Sequence, residues 1–299
     1  MRALVISGGG SKGAFAGGLA EYLLTVQKRE YEILIGSSTG SLLVPLLSIG
    51  ETQKLKKVFT SVTQSDIFNI CPFIITEKNG VFKTKINHFG VLKTMLKGKK
   101  TFGESKNLRD LIGRTMTAAD YSKIQQSGKD VIVTVSNLSS MQVEYKNVRD
   151  CNYDDYCDWV WASTSMVPFM SLVNKNNFDY ADGGMGDLVP IYQAILKGAT
   201  EIDIIILKND TQTKAPIKNA FVLTSRVFEF MLNQIATDDL ILGKIEGLHR
   251  SIVLNFYYPP EQLTTNSLIF NPEKMKAWWE LGFHVGEQRN PKSQVLNLP

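Results

Sequence analysis

The stretch Ile33–Ile49, ILIGSSTGSLLVPLLSI, decides how the rest of the chain is read. It opens on a short apolar run, breaks at Gly36-Ser37-Ser38-Thr39-Gly40, and continues from Ser41-Leu42-Leu43 as a segment fit for a helix. A strand that turns sharply into a helix, with a serine at the apex, is the layout of a nucleophile elbow, and Ser38 holds the apex. Gly36 and Gly40, two before and two after, have no side chains to obstruct so strained a turn. The N–H groups that open the following helix would favour negative charge developing beside the Ser38 hydroxyl. The same pentapeptide also suits a plain Gly/Ser turn capping a core helix, so other stretches must choose between the two readings.

Upstream, Arg2–Ser7 reads as a fully buried strand, Gly8-Gly9-Gly10-Ser11-Lys12-Gly13 as a loop, and Ala14–Gln27 as an apolar-faced helix. Two strand–glycine loop–helix units therefore stand in succession. Such units build a parallel sheet with right-handed crossovers, and both loops lie at its carboxyl edge. Neighbouring strands are roughly 5 Å apart, so the Gly8–Gly10 amides are expected beside Ser38 Oγ, where ligands of open α/β sheets bind.

Downstream, helices are expected over 51–60, 87–97, 106–116, Tyr153–Ala162, Pro190–Lys197, Ala220–Leu242 and Pro272–Gln288. Strands are expected at Asp130–Asn137, Met141–Tyr145, Phe178–Ala181, Glu201–Leu207 and Ser251–Tyr258. Residues 66–85 read as an irregular, aromatic-rich excursion, and Lys208–Lys218 as a polar break. The pattern predicts one α/β/α domain with helical decoration. Its core spans 1–200, and the strands and helices of 201–299 complete it.

At 299 residues, 43% apolar and 21% charged, the chain is an ordinary globular protein with ample core. A net charge of +4 is mild; it fits contact with an anionic surface and marks no nucleic-acid site. The densest basic run, KTMLKGKK at 93–100, reads as a solvated helix end. Cys71, Cys151 and Cys157 form no CxxC pair, which points to a reducing compartment. MRALVISGGG has too short an apolar part for a signal peptide, and no stretch approaches the ~20 apolar residues of a spanning helix. The expectation is a cytoplasmic protein, touching membrane only peripherally.

A nucleophilic serine needs a base and a binder for the oxyanion. His88, His249 and His284 sit in or beside helices, none in a tight turn after a strand. Asp182, in FDYADGG, ends a strand, and Gly183-Gly184 let the backbone turn at once; taken in isolation, a common Asp-Gly turn of no further purpose is the favoured reading. Gly8-x-Gly10-x-x-Gly13 matches a dinucleotide fingerprint, but no acidic residue ends the second strand, since Glu30 and Glu32 precede it. An oxyanion-binding loop gains accordingly. Lys12, a cation near a helix start, is either solvated or pins the loop or meets an anionic headgroup.

GGGSKG at 8–13, GSSTG at 36–40 and DGG at 182–184, in this order, resemble the patatin-like phospholipase family. The resemblance covers about residues 1–200. It implies a three-layer α/β/α sandwich with a mainly parallel sheet and lipid acyl hydrolysis by a Ser–Asp dyad. In that reading Ser38 is the nucleophile, Asp182 the general base, and Gly8, Gly9, Gly10, Ser11 and Lys12 the oxyanion loop. Gly13, Gly36, Gly40, Gly183 and Gly184 complete the motifs, and WASTSMVPFM at 161–170 is at most a pocket wall. The substrate would be a phospholipid or other acyl-ester lipid. No cofactor is needed, and no metal: Asp154-Asp155 and Asp238-Asp239 lack a calcium-loop pattern. Trp159, Trp161, Trp278, Trp279 and the Phe68–Phe82 stretch are the candidate membrane-facing aromatics, although paired tryptophans on helices more often belong to a core. A soluble esterase, a thioesterase or a lipid acyltransferase would use the same dyad, and a nucleotide-binding module would use only the glycine loop.

Overall fold

The computed structural model describes residues 1–78, 81–208, 216–217 and 220–288. Both strand–loop–helix units form. β1 (Arg2–Ile6) leads through a 3-10 turn into α1 (Gly13–Thr25), and β2 (Ile33–Ser37) turns directly into α2 (Thr39–Ser48). The two strands pair in parallel, with Ile6 opposite Gly36. Next come α3 (Thr52–Phe59), α4 (Gln64–Ile67), a hairpin of β3 (Phe73–Lys78) and β4 (Val81–Ile86), α5 (His88–Leu96), α6 (Lys106–Thr115) and α7 (Ala118–Gln126). β5 (Asp130–Asn137) joins β2 in parallel, and β6 (Gln142–Asn147) folds back on it. α8 (Tyr153–Ser163), β7 (Val173–Lys175), β8 (Phe178–Asp182), α9 (Ile191–Leu196) and β9 (Glu201–Ile205) follow, then α10 (Ala220–His249), β10 (Val253–Tyr257) and α11 (Pro272–Gln288).

The main sheet runs β10-β9-β1-β2-β5-β8-β7, with β6 on the free side of β5. β9 and β10 extend the parallel set, whereas β6, β7 and β8 pair antiparallel. The result is a mostly parallel, mixed sheet covered by helices on both sides. Alternate residues of β1 supply two cores. Leu4 and Ile6 pack with side chains of α1, α2 and α11, while Ala3 and Val5 pack with α9 and α10. A strand buried on both faces must be apolar throughout, which is why ALVI and ILI are unbroken runs. Each large side chain so buried stabilises the fold by about 1.5–3 kcal/mol.

Three expectations need correction. Residues 66–85 are not irregular throughout: α4 ends within them and the paired strands β3 and β4 take most of the rest, because FIITEK is rich in β-branched residues that suit a pleated strand. α7 was not foreseen, although Thr117 and Asp120 close a reciprocal capping box at its start, a pattern written in the sequence as T-x-x-D. α10 runs on past Leu242 to His249. Of the polar break, 209–215 and 218 lie outside the described residues.

Candidate active site

Ser38 sits in the left-handed region, φ 52 and ψ −122, between β2 and α2. For a residue with a side chain this conformation costs about 1–3 kcal/mol, so its surroundings must impose it. Gly36 and Gly40 allow the imposing contacts. A Cβ on Gly36 would stand 2.3 Å from the Gly40 carbonyl carbon, and one on Gly40 would stand 2.2 Å from Ile6 O. The turn is then buttressed from α8: Ser38 N donates to Ser163 Oγ at 3.1 Å, and Ser163 Oγ meets Ser41 Oγ at 2.7 Å. Ser163 belongs to the WASTSMVPFM stretch, whose part the sequence reading left at a pocket wall. Hydroxyls spaced for a helix end were the only signal there.

Asp182 arrives by a route that its sequence hides. Being the last residue of a strand would place it at the edge of Ser38 only if that strand ran parallel to β2, and β8 runs antiparallel to β5. Register explains the meeting. Ser37 pairs with Thr134 on β5, and Asp182 pairs with the next residue, Val135. β6 occupies the other side of β5, so β8 takes over the edge that β2 has just left. The two strands approach end to end, and their last residues face each other.

There Asp182 Oδ2 accepts from Ser38 Oγ at 2.6 Å, while Oδ1 accepts from Gly184 N at 2.8 Å. The Asp-Gly turn and the contact to the serine thus coexist, one on each oxygen. Asp182 N donates to Ser165 O at 2.9 Å, tying the strand to the segment after α8. Burial pushes the Asp182 carboxyl up to about 7, outweighing the two hydrogen bonds that favour its anion.

The Gly8–Lys12 loop does lie beside the serine: a Cβ on Gly8 would stand 3.1 Å from Ser38 Cβ. Its amides are not equivalent. Gly8 N donates to Leu188 O at 3.1 Å, Ser11 N to Ser267 O at 2.8 Å, and Lys12 N to Gly9 O at 3.2 Å. Among the described residues, the N–H groups of Gly9 and Gly10 have no protein acceptor. Thr39, first residue of α2, has none within its helix either. Gly10 adopts φ +56, where a Cβ would stand 2.2 Å from Ser267 O, so only glycine fits. Lys12 is not solvated. Its ammonium is buried and donates to Leu207 O, and burial lowers its pKa to about 8. It pins the loop to the end of β9.

Ser38, Asp182 and Gly8–Gly10 all line a cavity of about 560 Å³. The remainder is walled chiefly by apolar side chains, among them Leu46, Phe59, Ile112, Met170 and Leu268. None of the three histidines lines it; His284 is exposed and meets Glu287 at 2.6 Å. Among the described residues, no group of three or more His, Cys, Asp or Glu could hold a metal ion.

Most of the aromatics named as candidates for a membrane face are packed into the protein. Trp279 is wholly buried and donates to Glu21 Oε2 at 2.6 Å, and Trp159 is buried against Tyr180. Trp161 donates to Ser105 O at 3.0 Å, and Trp278 is half-buried against the core. Phe68 and Phe73 are buried and in contact with each other. Phe82 has no side chain among those described.

The sequence profile of the family described as patatin-like phospholipase matches residues 4–195, more than half of the chain. The chain belongs to the patatin-like phospholipase family. Hydrolysis of lipid acyl esters is the general activity that this membership carries. Among solved structures, VipD from Legionella pneumophila matches 96% of this chain at a TM-score of 0.50 and 12% identity, a likeness of fold alone. This chain spans 66% of VipD's length. No curated protein matches the chain.

Proposed function

We infer that this member of the family is a serine hydrolase of phospholipase A or lysophospholipase type, working through Ser38 and Asp182. Ser38 Oγ attacks the ester carbonyl carbon and its proton passes to Asp182 Oδ2. The tetrahedral intermediate expels the alcohol, which takes that proton, and Ser38 is left acylated. Water then gives a proton to Asp182 and attacks the acyl-enzyme, releasing the fatty acid and restoring the hydroxyl. The oxyanion is held by the N–H groups of Gly9 and Gly10, the loop donors left without a protein acceptor. Gly8, Ser11 and Lys12 serve that loop by fixing its shape.

A free aspartate, with a pKa near 3.9, is a weak base toward a hydroxyl. Two features offset this. Burial raises the Asp182 carboxyl to about 7, and prearranged amides stabilise the oxyanion as it forms. The observation that carries the reading is the 2.6 Å Ser38–Asp182 contact in the wall of a chiefly apolar cavity. A volume of about 560 Å³ suits a long acyl chain better than a small soluble ester. Lipid extracts incubated with wild type and with Ser38→Ala, compared by mass spectrometry, test the proposal. Free fatty acid and lysolipid should accumulate with wild type alone. Equal accumulation with both proteins would refute it.

A further inference from the structure

The helix α5 is turned inside out for a water-exposed element. Its inward side is small, with Thr94 buried and Gly90 and Val91 half-buried. Its outward side carries Phe89 and Leu96, each 79% exposed, with Leu92 and Met95 more than half exposed between them. Positions 89, 92, 95 and 96 share one face of a helix. A surface helix in water normally shows the opposite polarity. An apolar face of this kind marks a contact that water does not satisfy.

Charge says what kind of contact. Lys93 and Lys97 flank the apolar row one helical turn apart, and Lys99 and Lys100 follow it. All four are exposed. Lys99 pairs with Glu104 and Lys100 approaches Asp179 at 3.7 Å, whereas Lys93 and Lys97 have no acidic partner among the described residues. Exposed apolar side chains edged by lysines suit the boundary between headgroups and acyl chains of an anionic bilayer.

Position ties this face to the active site. Beyond α5 the chain runs to Phe102, whose N–H donates to Pro168 O at 2.7 Å and whose ring meets Phe169. Phe169 touches Phe73 at the start of β3 and Phe228 on α10. Its neighbours Met166 and Met170 line the cavity, as does Phe230 of α10. Phe230 is also 63% exposed, which puts it at the rim. An aromatic contact chain therefore starts at Phe102, six residues beyond α5, and ends on segments that line the cavity.

We propose that α5, through Phe89, Leu92, Met95 and Leu96 with Lys93 and Lys97, docks the protein on an anionic phospholipid surface. The cavity mouth then lies against the layer that holds its substrate. The proposal rests on the site's being a lipid hydrolase only for what enters the cavity; docking is measured without turnover.

The test is co-sedimentation of Ser38→Ala protein with vesicles of phosphatidylcholine, with and without phosphatidylglycerol. The protein should bind the vesicles that contain phosphatidylglycerol, and Lys93→Glu/Lys97→Glu should weaken binding about tenfold or more. Phe89→Glu/Leu96→Glu should weaken it at least as much while melting at the parent temperature, since both side chains lie outside the core. In proteins with Ser38 intact, the ratio of vesicle-lipid to soluble-ester hydrolysis should fall in parallel. Equal binding by parent and variants, or no binding to either vesicle, would overturn the proposal. So would a dimer in light scattering that Leu96→Glu dissolves, since the face would then belong to a second copy. If the hydrolase reading alone were wrong, wild type would cleave no ester, yet the binding differences would persist.

Discussion

Two buried aspartates of the sheet are held in opposite ways. Asp203, in β9, is met by Arg29 Nη1 at 2.6 Å, by the Tyr31 hydroxyl at 2.6 Å and by Asn255 Nδ2 at 2.9 Å. Its charge is answered by a cation, and it joins β9 and β10 to the connection between α1 and β2. Asp182 is buried too, at the cavity wall, but its partners are a hydroxyl and a backbone N–H, with no cation in contact among the described residues. In the proposed mechanism the same side chain is a structural joint in one place and a proton acceptor in the other. What differs is whether the fold neutralises the charge that it buries.

Asp182→Asn should show the largest effect. If Asp182 is the base, turnover of a soluble ester should fall by about 10³-fold or more while the fold persists. Stability should move the other way. The native carboxyl titrates near 7 and the unfolded one near 3.8. The native state therefore holds the proton more tightly, and burial costs stability as pH rises through that window, in full above 7. Thermal melts should place Asp182→Asn at or above wild type at pH 8, with the gap closing near pH 4. A lower melting temperature at pH 8 would show that Asp182 is a joint like Asp203.

Asp203→Ala should behave in the reverse sense. It removes one of the two carboxylates on the half-buried Arg29 guanidinium, Glu201 Oε1 remaining at 3.1 Å, and strips Tyr31 and Asn255 of their acceptor, a loss of about 1–3 kcal/mol that denaturant unfolding would measure. The protein that remains folded should retain its turnover. A collapse of kcat in folded Asp203→Ala protein would erase the contrast.

A smaller effect separates the two by pH. The base must be ionised, so kcat/KM should fall about tenfold per pH unit below about 7 and level off above it. A profile flat down to pH 5 would mean that the group limiting turnover is not the raised carboxyl.

The contrast also shows what the sequence could reveal. The elbow was legible because close backbone approach demands Gly36 and Gly40, and small residues are visible in a string. The DGG turn was legible for the same cause. The reason Asp182 meets Ser38 was not, since an antiparallel β8 in register with Val135 is a property of pairing, which no local pattern records. Which loop amides stay free was equally hidden, because their competitors, the carbonyls of Leu188 and Ser267, lie far along the chain. Whether Lys12 is solvated or pins the loop stayed open for the same reason, its acceptor being Leu207. The tryptophans stayed open between two readings because an aromatic ring suits a membrane boundary and a core alike. Neighbours such as Glu21 and Tyr180 decide which, and they too are remote in sequence.

Covalent labelling is the most direct test of the Ser38–Asp182 pair. Protein treated with an alkyl fluorophosphonate, digested and mapped by mass spectrometry, should carry one phosphonyl adduct on Ser38, with the labelling rate sharply reduced in Asp182→Asn. An unmodified Ser38, an adduct elsewhere, or undiminished labelling of Asp182→Asn would contradict it.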